Sequence, residues 1–258
     1  MLIAEPQETA ADLHLDLVGI RVRVSAWFWL ASALLGWNVC QAFARNDQRA
    51  LVQYLFVWVV AVFVSILIHE LGHALAYRVF GQSAHVVLYH FGGLAIPDLW
   101  GRRHLRPLQR LVVAAAGPLA QLSLAAVLVL LLKAGGYAVP FPLPEVGAAL
   151  GLYAGRDLPA GVPFALVYFL LTVNVFWPLL NLVPVPPLDG GQIVREGLLA
   201  AGVADAHRIA GIVGVVAGGA VAWWGYTRGE PFIGIMFAML AAACYQGLAG
   251  GPPGRRWN

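Results

Sequence analysis

Charge is scarce in this chain. Of its 258 residues 13 are acidic and 16 basic, 11% together, while 60% are hydrophobic. A water-soluble domain carries about 25% charged residues, so such a domain is excluded and a polytopic membrane protein is indicated. Cysteine is nearly absent as well. Cys40 and Cys244 each lie in an apolar run and read as small buried hydrophobes, which argues against a disulfide framework or a cysteine metal site. The formal net charge is only +3, and its arginines are scattered through short loops, so no nucleic-acid partner is expected. The first residues carry Glu5, Glu8, Asp12 and Asp16 and lack a basic stretch followed by a cleavable apolar one; no signal peptide is expected. No polar stretch exceeds roughly thirty residues, short of the ~50 a second domain needs. Residues 1–258 are therefore read as a single membrane-embedded domain. Its core is about 52–194, with a cytoplasmic N-terminal segment at 1–24 and a flexible tail at 250–258.

Long apolar runs are plentiful. About 20 apolar residues cross ~30 Å of hydrocarbon. Six runs qualify: about 25–43, 52–77, 108–132, 162–182, 209–226 and 232–248. Between the second and third, Ala84 to Phe91 is β-rich, meets Gly92-Gly93 and resumes at Leu94, which reads as two short strands round a turn. The segment 135–161, with Pro140, Pro142, Pro144 and Pro159, reads as an extended or re-entrant loop. The expected fold is an all-α polytopic membrane protein of six transmembrane helices, with a short β-hairpin after the second. Trp27, Trp29, Trp37, Trp100, Trp223 and Trp224 read as interface aromatics, and the cluster from Arg102 to Arg106 as a membrane-surface anchor. With six spans both termini share a side, and eleven of the sixteen basic residues fall on it. The positive-inside rule makes that side cytoplasmic, in a prokaryotic inner membrane.

Within the second run lies His69-Glu70-Leu71-Gly72-His73. On a helix this spacing sets two imidazoles one turn apart, ~40° round the axis and ~6 Å along it. They can share one Zn²⁺, with Glu70 as general base. Ionisable side chains at membrane depth are functional by default, so hydrolysis of peptide bonds within the bilayer is suggested. A catalytic zinc site usually has three protein ligands and one open position. Asp189 is the best candidate for the third. It lies in Asn181-Leu182-Val183-Pro184-Val185-Pro186-Pro187-Leu188-Asp189-Gly190-Gly191, where three prolines break the helix and two glycines allow close approach. On the topology above it sits at the depth of the histidines.

The HExxH motif and the later NxxPxPPLDGG together resemble the site-2 protease family of intramembrane zinc metalloproteases. Phe91-Gly92-Gly93 and Ala116-Gly117-Pro118 are similar to family features too, and the resemblance spans roughly 52–194. Where relatives often have Asn in the third-span motif, this chain has Gln121. The absence of inserted PDZ or paired CBS domains matches the minimal branch. The resemblance implies one Zn²⁺ held by His69, His73 and Asp189, Glu70 as the catalytic acid–base, and Asn181 holding the substrate backbone. It also implies regulated intramembrane proteolysis of a membrane-tethered protein, with the lipid bilayer and an unidentified regulatory membrane protein as partners. The substrate helix must unwind before attack, and the strands at 86–96 offer an edge for β-addition.

Other readings are kept beside this one. A metal-ion transporter could use the same histidines, although no internal repeat is seen and the motif sits toward one leaflet. A catalytically inactive scaffold could bind transmembrane peptides; a buried structural metal site without catalysis is opposed by Glu70, which is not needed as a ligand. His85, His90 and His104 read as loop histidines, with His90 a candidate for the site entrance; His14 and His207 read as surface residues. Asn174 makes an interhelical hydrogen bond on one reading and contacts substrate on the other.

Overall fold

The computed structural model describes residues 7–90, 92–98 and 104–249. Phe91, Trp100, Arg102, Arg103 and the tail from residue 250, each assigned a role above, lie outside the described residues. The elements run β1 (Leu13–Leu17), β2 (Ile20–Val24), α1 (Ala26–Ala44), α2 (Gln48–Val79), β3 (Ala84–Tyr89), β4 (Gly92–Pro97), α3 (Pro107–Ala134), α4 (Pro144–Ala149), α5 (Val162–Asn181), α6 (Asp189–Ala200), α7 (Ala206–Arg228) and α8 (Pro231–Ala249). The chain divides into two compact units. One comprises residues 1–103 and 119–178, the other residues 104–118 and 179–258.

In the first unit, α2 begins where the Asp47 carboxylate accepts hydrogen bonds from the backbone N–H groups of Arg49 and Ala50, an N-cap that satisfies donors the first turn leaves orphaned. At 32 residues, α2 is ~48 Å long by its 1.5 Å rise and overhangs a ~30 Å hydrocarbon layer. Helix α1 ends at Arg45 and Asn46, both in left-handed backbone (φ 47° and 71°), which turns the chain straight into α2. The two helices approach closely at Gly36, where any side chain would overlap the Trp58 indole. Trp58 Nε1 donates to Ser32 O at 2.9 Å. Around this contact the core gathers Phe28, Cys40, Ala61, Ile66, Ala165 and Phe169. A smaller cluster joins Ala125, Val139, Leu152, Leu171 and Val175.

The sheet is larger than the sequence suggested. The hairpin β3–β4 is present, but it is half of a four-stranded sheet ordered β1-β2-β3-β4. Strands β1 and β2 pair antiparallel, β2 and β3 parallel, β3 and β4 antiparallel with Leu88 opposite Gly93. The all-α expectation is corrected to this extent: the segment read as a plain N-terminal extension is a hairpin. Its signals are the alternation in Leu13-His14-Leu15-Asp16-Leu17 and Ile20-Arg21-Val22-Arg23-Val24 and the turn at Val18-Gly19, both at positive φ. Val22, Val24, Val86 and Leu88 are buried. Strand β3 is interior, so β4 rather than the whole 86–96 segment forms the outer edge on that side.

In the second unit the prolines at 184, 186 and 187 interrupt helix, as expected, but the chain resumes helix immediately at Asp189 as α6. The connection between the fourth and fifth apolar runs therefore holds a twelve-residue helix, too short and too polar to register as an apolar run. Glu196 on α6 is buried, gripped by Arg110 (2.7 Å) and Arg195 (2.9 Å). Helices α7 and α8 pack through small residues; Gly225 faces the backbone of Gly234, and Gly218 faces Ala241. Gly229 in left-handed backbone closes α7, and Pro231 opens α8.

Among the described residues five helices are long and apolar enough to cross a membrane: α2, α3, α5, α7 and α8. Large apolar side chains on them stand exposed, Phe56, Leu130, Leu131, Val216 and Ile235 among them, as a lipid-facing surface requires. Helix α1 matches the first expected run in its bounds but is not among the five. Its Trp27, Trp29, Trp37, Asn38 and Gln41 dilute its apolarity.

Candidate metal centre

Helix α2 carries His69, Glu70 and His73 near its C-terminal end, all buried. The α-helical register brings the two imidazoles together: their Nε2 atoms lie 3.1 Å apart and their ring centroids 4.8 Å. Two nitrogens held at about 2.0–2.1 Å by one tetrahedral Zn²⁺ lie about 3.3 Å apart, so the pair fits a shared ion. His69 Nδ1 lies 2.9 Å from Gln121 Oε1 on α3. A carbonyl oxygen only accepts, so this contact is a hydrogen bond when the ring carries its proton on Nδ1.

Strand β4 lies against Glu70. At Gly93 an added Cβ would overlap the Glu70 side chain, so only glycine lets the strand approach the carboxylate. Its neighbour Gly92 has φ +117°, and a Cβ there would come within 2.6 Å of the Trp177 ring. Burial, and then the nearby Glu70 carboxylate, push the Tyr89 phenol above its ordinary pKa. One turn before His69, Ser65 accepts a hydrogen bond from Asn174 Nδ2 at 2.7 Å on its hydroxyl oxygen. The interhelical role expected of Asn174 is therefore present.

In the second unit Asp189 is the first residue of α6 and is 9% exposed. The glycines after it are explained by contact with the preceding loop. A Cβ on Gly190 would strike the backbone of Leu182 and Val183, and one on Gly191 the backbone of Pro186. The proline loop thus folds back on the helix start and holds Asp189 at a fixed place. Asn181 ends α5 and is half-buried.

Of the other singled-out residues, His85 pairs with Asp98 at 2.8 Å. His14 pairs with Glu8 at 3.1 Å. His90, His104 and His207 are exposed. Both cysteines are free. Sequence reasoning missed Gln121, Trp177 and Gly93 as neighbours of the HExxH helix. Gln121 carried a usable signal, a polar side chain deep in an apolar run, and Gly93 lay in the noted Phe91-Gly92-Gly93 stretch; Trp177 carried none.

Residues 57–221 match the family model described as Peptidase family M50. A Mycobacterium tuberculosis protein named as a zinc metalloprotease, Rip3, is 34% identical over 140 residues. That match takes in 54% of this chain and 30% of Rip3. A Synechocystis protein named as a zinc metalloprotease, sll0528, is 31% identical over 185 residues, 70% of this chain and 42% of that one. The chain thus spans well under half the length of the curated relatives it matches. Among solved structures, the site-2 protease from Methanocaldococcus jannaschii has the same fold, with a TM-score of 0.54 at 20% identity over 96% of this chain and 100% of that one. Apolar helices able to cross a membrane and a family match over more than half the sequence lead to one conclusion: this is a multi-pass membrane protein, and the chain belongs to peptidase family M50.

Proposed function

We propose that this protein is a zinc metalloendopeptidase that cuts a membrane-tethered protein within or near its transmembrane segment. One observation carries the reading: a buried pair of imidazoles whose Nε2 atoms lie 3.1 Å apart, with Glu70 beside them, on an apolar helix. The names of the M50 relatives support zinc as the metal. His69 and His73 bind it through Nε2, and Asp189 is the third ligand. Histidine and carboxylate are the donor types of catalytic zinc sites. When bound, zinc supplies Lewis acidity to a carbonyl and to water.

The chain's own residues do the rest. Glu70 takes a proton from the attacking water and returns it to the leaving amine. Burial of its carboxylate under β4 keeps competing water away. Asn181 holds the substrate backbone. A substrate helix hides its amides in its own hydrogen bonds and must unwind first; the β4 edge then receives the extended peptide by strand addition. Six spans, α1 included, with both termini in the cytoplasm and one membrane-embedded catalytic domain, complete the reading. Regulated intramembrane proteolysis follows as its biological setting.

The test is Glu70→Gln in the purified full chain, with zinc content and cleavage of a model transmembrane peptide as readouts. A protease keeps its metal and loses cleavage. Metal flux across vesicles that survives the substitution indicates a transporter, and a wild-type protein that binds the peptide without cutting it indicates a scaffold.

A further inference from the structure

Gln121 is fully buried on α3, at a position where an apolar residue of similar size would fill the space without a polar group to satisfy. Its Oε1 lies 2.9 Å from His69 Nδ1 across a sequence separation of 52 residues, while its Nε2 has no hydrogen-bond partner among the described residues. Packing alone does not account for a buried amide satisfied on one side only. The satisfied side is the informative one. An imidazole with its proton on Nδ1 presents a lone pair at Nε2, the atom facing His73 Nε2. Were the Gln121 amide reversed, its N–H would seek Nδ1 as acceptor and drive the His69 proton to Nε2, pointing it at His73. Such a histidine cannot bind metal through Nε2.

We propose that Gln121 is a positioning residue of the metal centre: its carbonyl oxygen fixes the tautomer and ring plane of His69, so that Nε2 is presented to the metal. The inference rests on the reading of His69 as a ligand, but it concerns metal binding and not peptide cleavage. Metal-ligating histidines commonly give their second ring N–H to an oxygen acceptor, and losing that partner typically costs 10–100-fold in affinity or activity.

The experiment uses the full-length protein in detergent, with ¹⁵N-histidine spectra of the metal-free form and zinc affinity by chelator competition. Wild type is expected to show His69 as the Nδ1–H tautomer. Gln121→Met, which keeps the length and removes the acceptor, is expected to give mixed tautomers and zinc affinity weakened about 10–100-fold. Gln121→Glu, which keeps an acceptor, is expected to restore both. Wild-type tautomer and zinc affinity in Gln121→Met overturn the proposal, even if that variant melts at a lower temperature. So does a wild-type His69 carrying its proton on Nε2. Wild type that binds zinc tightly but cleaves nothing refutes proteolysis and leaves these readouts intact. Zinc affinity unchanged by His69→Ala refutes both.

Discussion

Gly93 on β4 packs so closely on Glu70 of α2 that a methyl group at position 93 would occupy the space of the Glu70 side chain. Gly93→Ala must therefore push the carboxylate aside while leaving His69 and His73 in place. Zinc content is expected to stay at the wild-type level while the cleavage rate falls by about 10–100-fold, the scale of a ~1 Å misplacement of a catalytic group. A variant that cleaves normally removes Glu70 from the chemistry.

The edge of β4 offers a second check. Proline removes a backbone donor, so single substitutions Leu94→Pro and Ala95→Pro each delete one N–H, and residues that alternate along a strand turn these donors to opposite sides. The variant that loses the outward donor is expected to bind zinc fully and cleave poorly. The other disrupts pairing with β3 and lowers thermal stability. Full cleavage by both variants sinks substrate docking on this edge.

Asn174 and Ser65 are coupled across α5 and α2 by a 2.7 Å hydrogen bond. A double-mutant cycle of Asn174→Ala and Ser65→Ala, followed by unfolding in detergent, is expected to give a coupling of about 0.6 kcal/mol, and no more than about 1.7 kcal/mol. KM for a transmembrane peptide is expected to stay unchanged. A large KM change with negligible coupling would make Asn174 a substrate contact instead.

Metal removal separates the ligands from the base. Chelation is expected to abolish cleavage, and zinc to restore it. Asp189→Asn is expected to weaken zinc binding by more than the roughly 10–100-fold that a lost outer partner costs, whereas Glu70→Gln keeps its zinc. Equal zinc affinity in Asp189→Asn and wild type rejects Asp189 as the third ligand.

Glu196 is buried between two guanidinium groups, so Glu196→Gln leaves Arg110 and Arg195 without their counter-charge. The expected loss is about 1.5–3 kcal/mol, the scale of charge-assisted hydrogen bonds, toward the low end because Arg110 is part-exposed. Thermal unfolding of the full chain reads it.

Much of the architecture was legible from local pattern. The five long apolar helices fall within a few residues of the runs read from sequence, and the β3–β4 hairpin declared itself through Ala84 to Tyr89 and Gly92-Gly93. The N-terminal hairpin escaped because acidic residues and short strands obscured its alternation, and α6 escaped because a proline cluster reads as loop. Around the metal centre, His69, Glu70 and His73 were visible because helical periodicity alone aligns them. Gln121 was visible only as a departure from an expected asparagine, and its partner was not visible at all.

By itself, then, the sequence determined the solvent this protein lives in, the length of its helices and the spacing of the imidazoles on α2. Each follows from composition or from a 1.5 Å rise and 3.6-residue turn within one segment. The tertiary structure alone decided that β2 lies parallel to β3, that Gly93 rests on Glu70 and that His69 Nδ1 meets Gln121 Oε1. Those relations join segments far apart in the chain, and which distant surfaces meet is settled by packing and hydrogen-bond satisfaction across the fold rather than by any local pattern of residues.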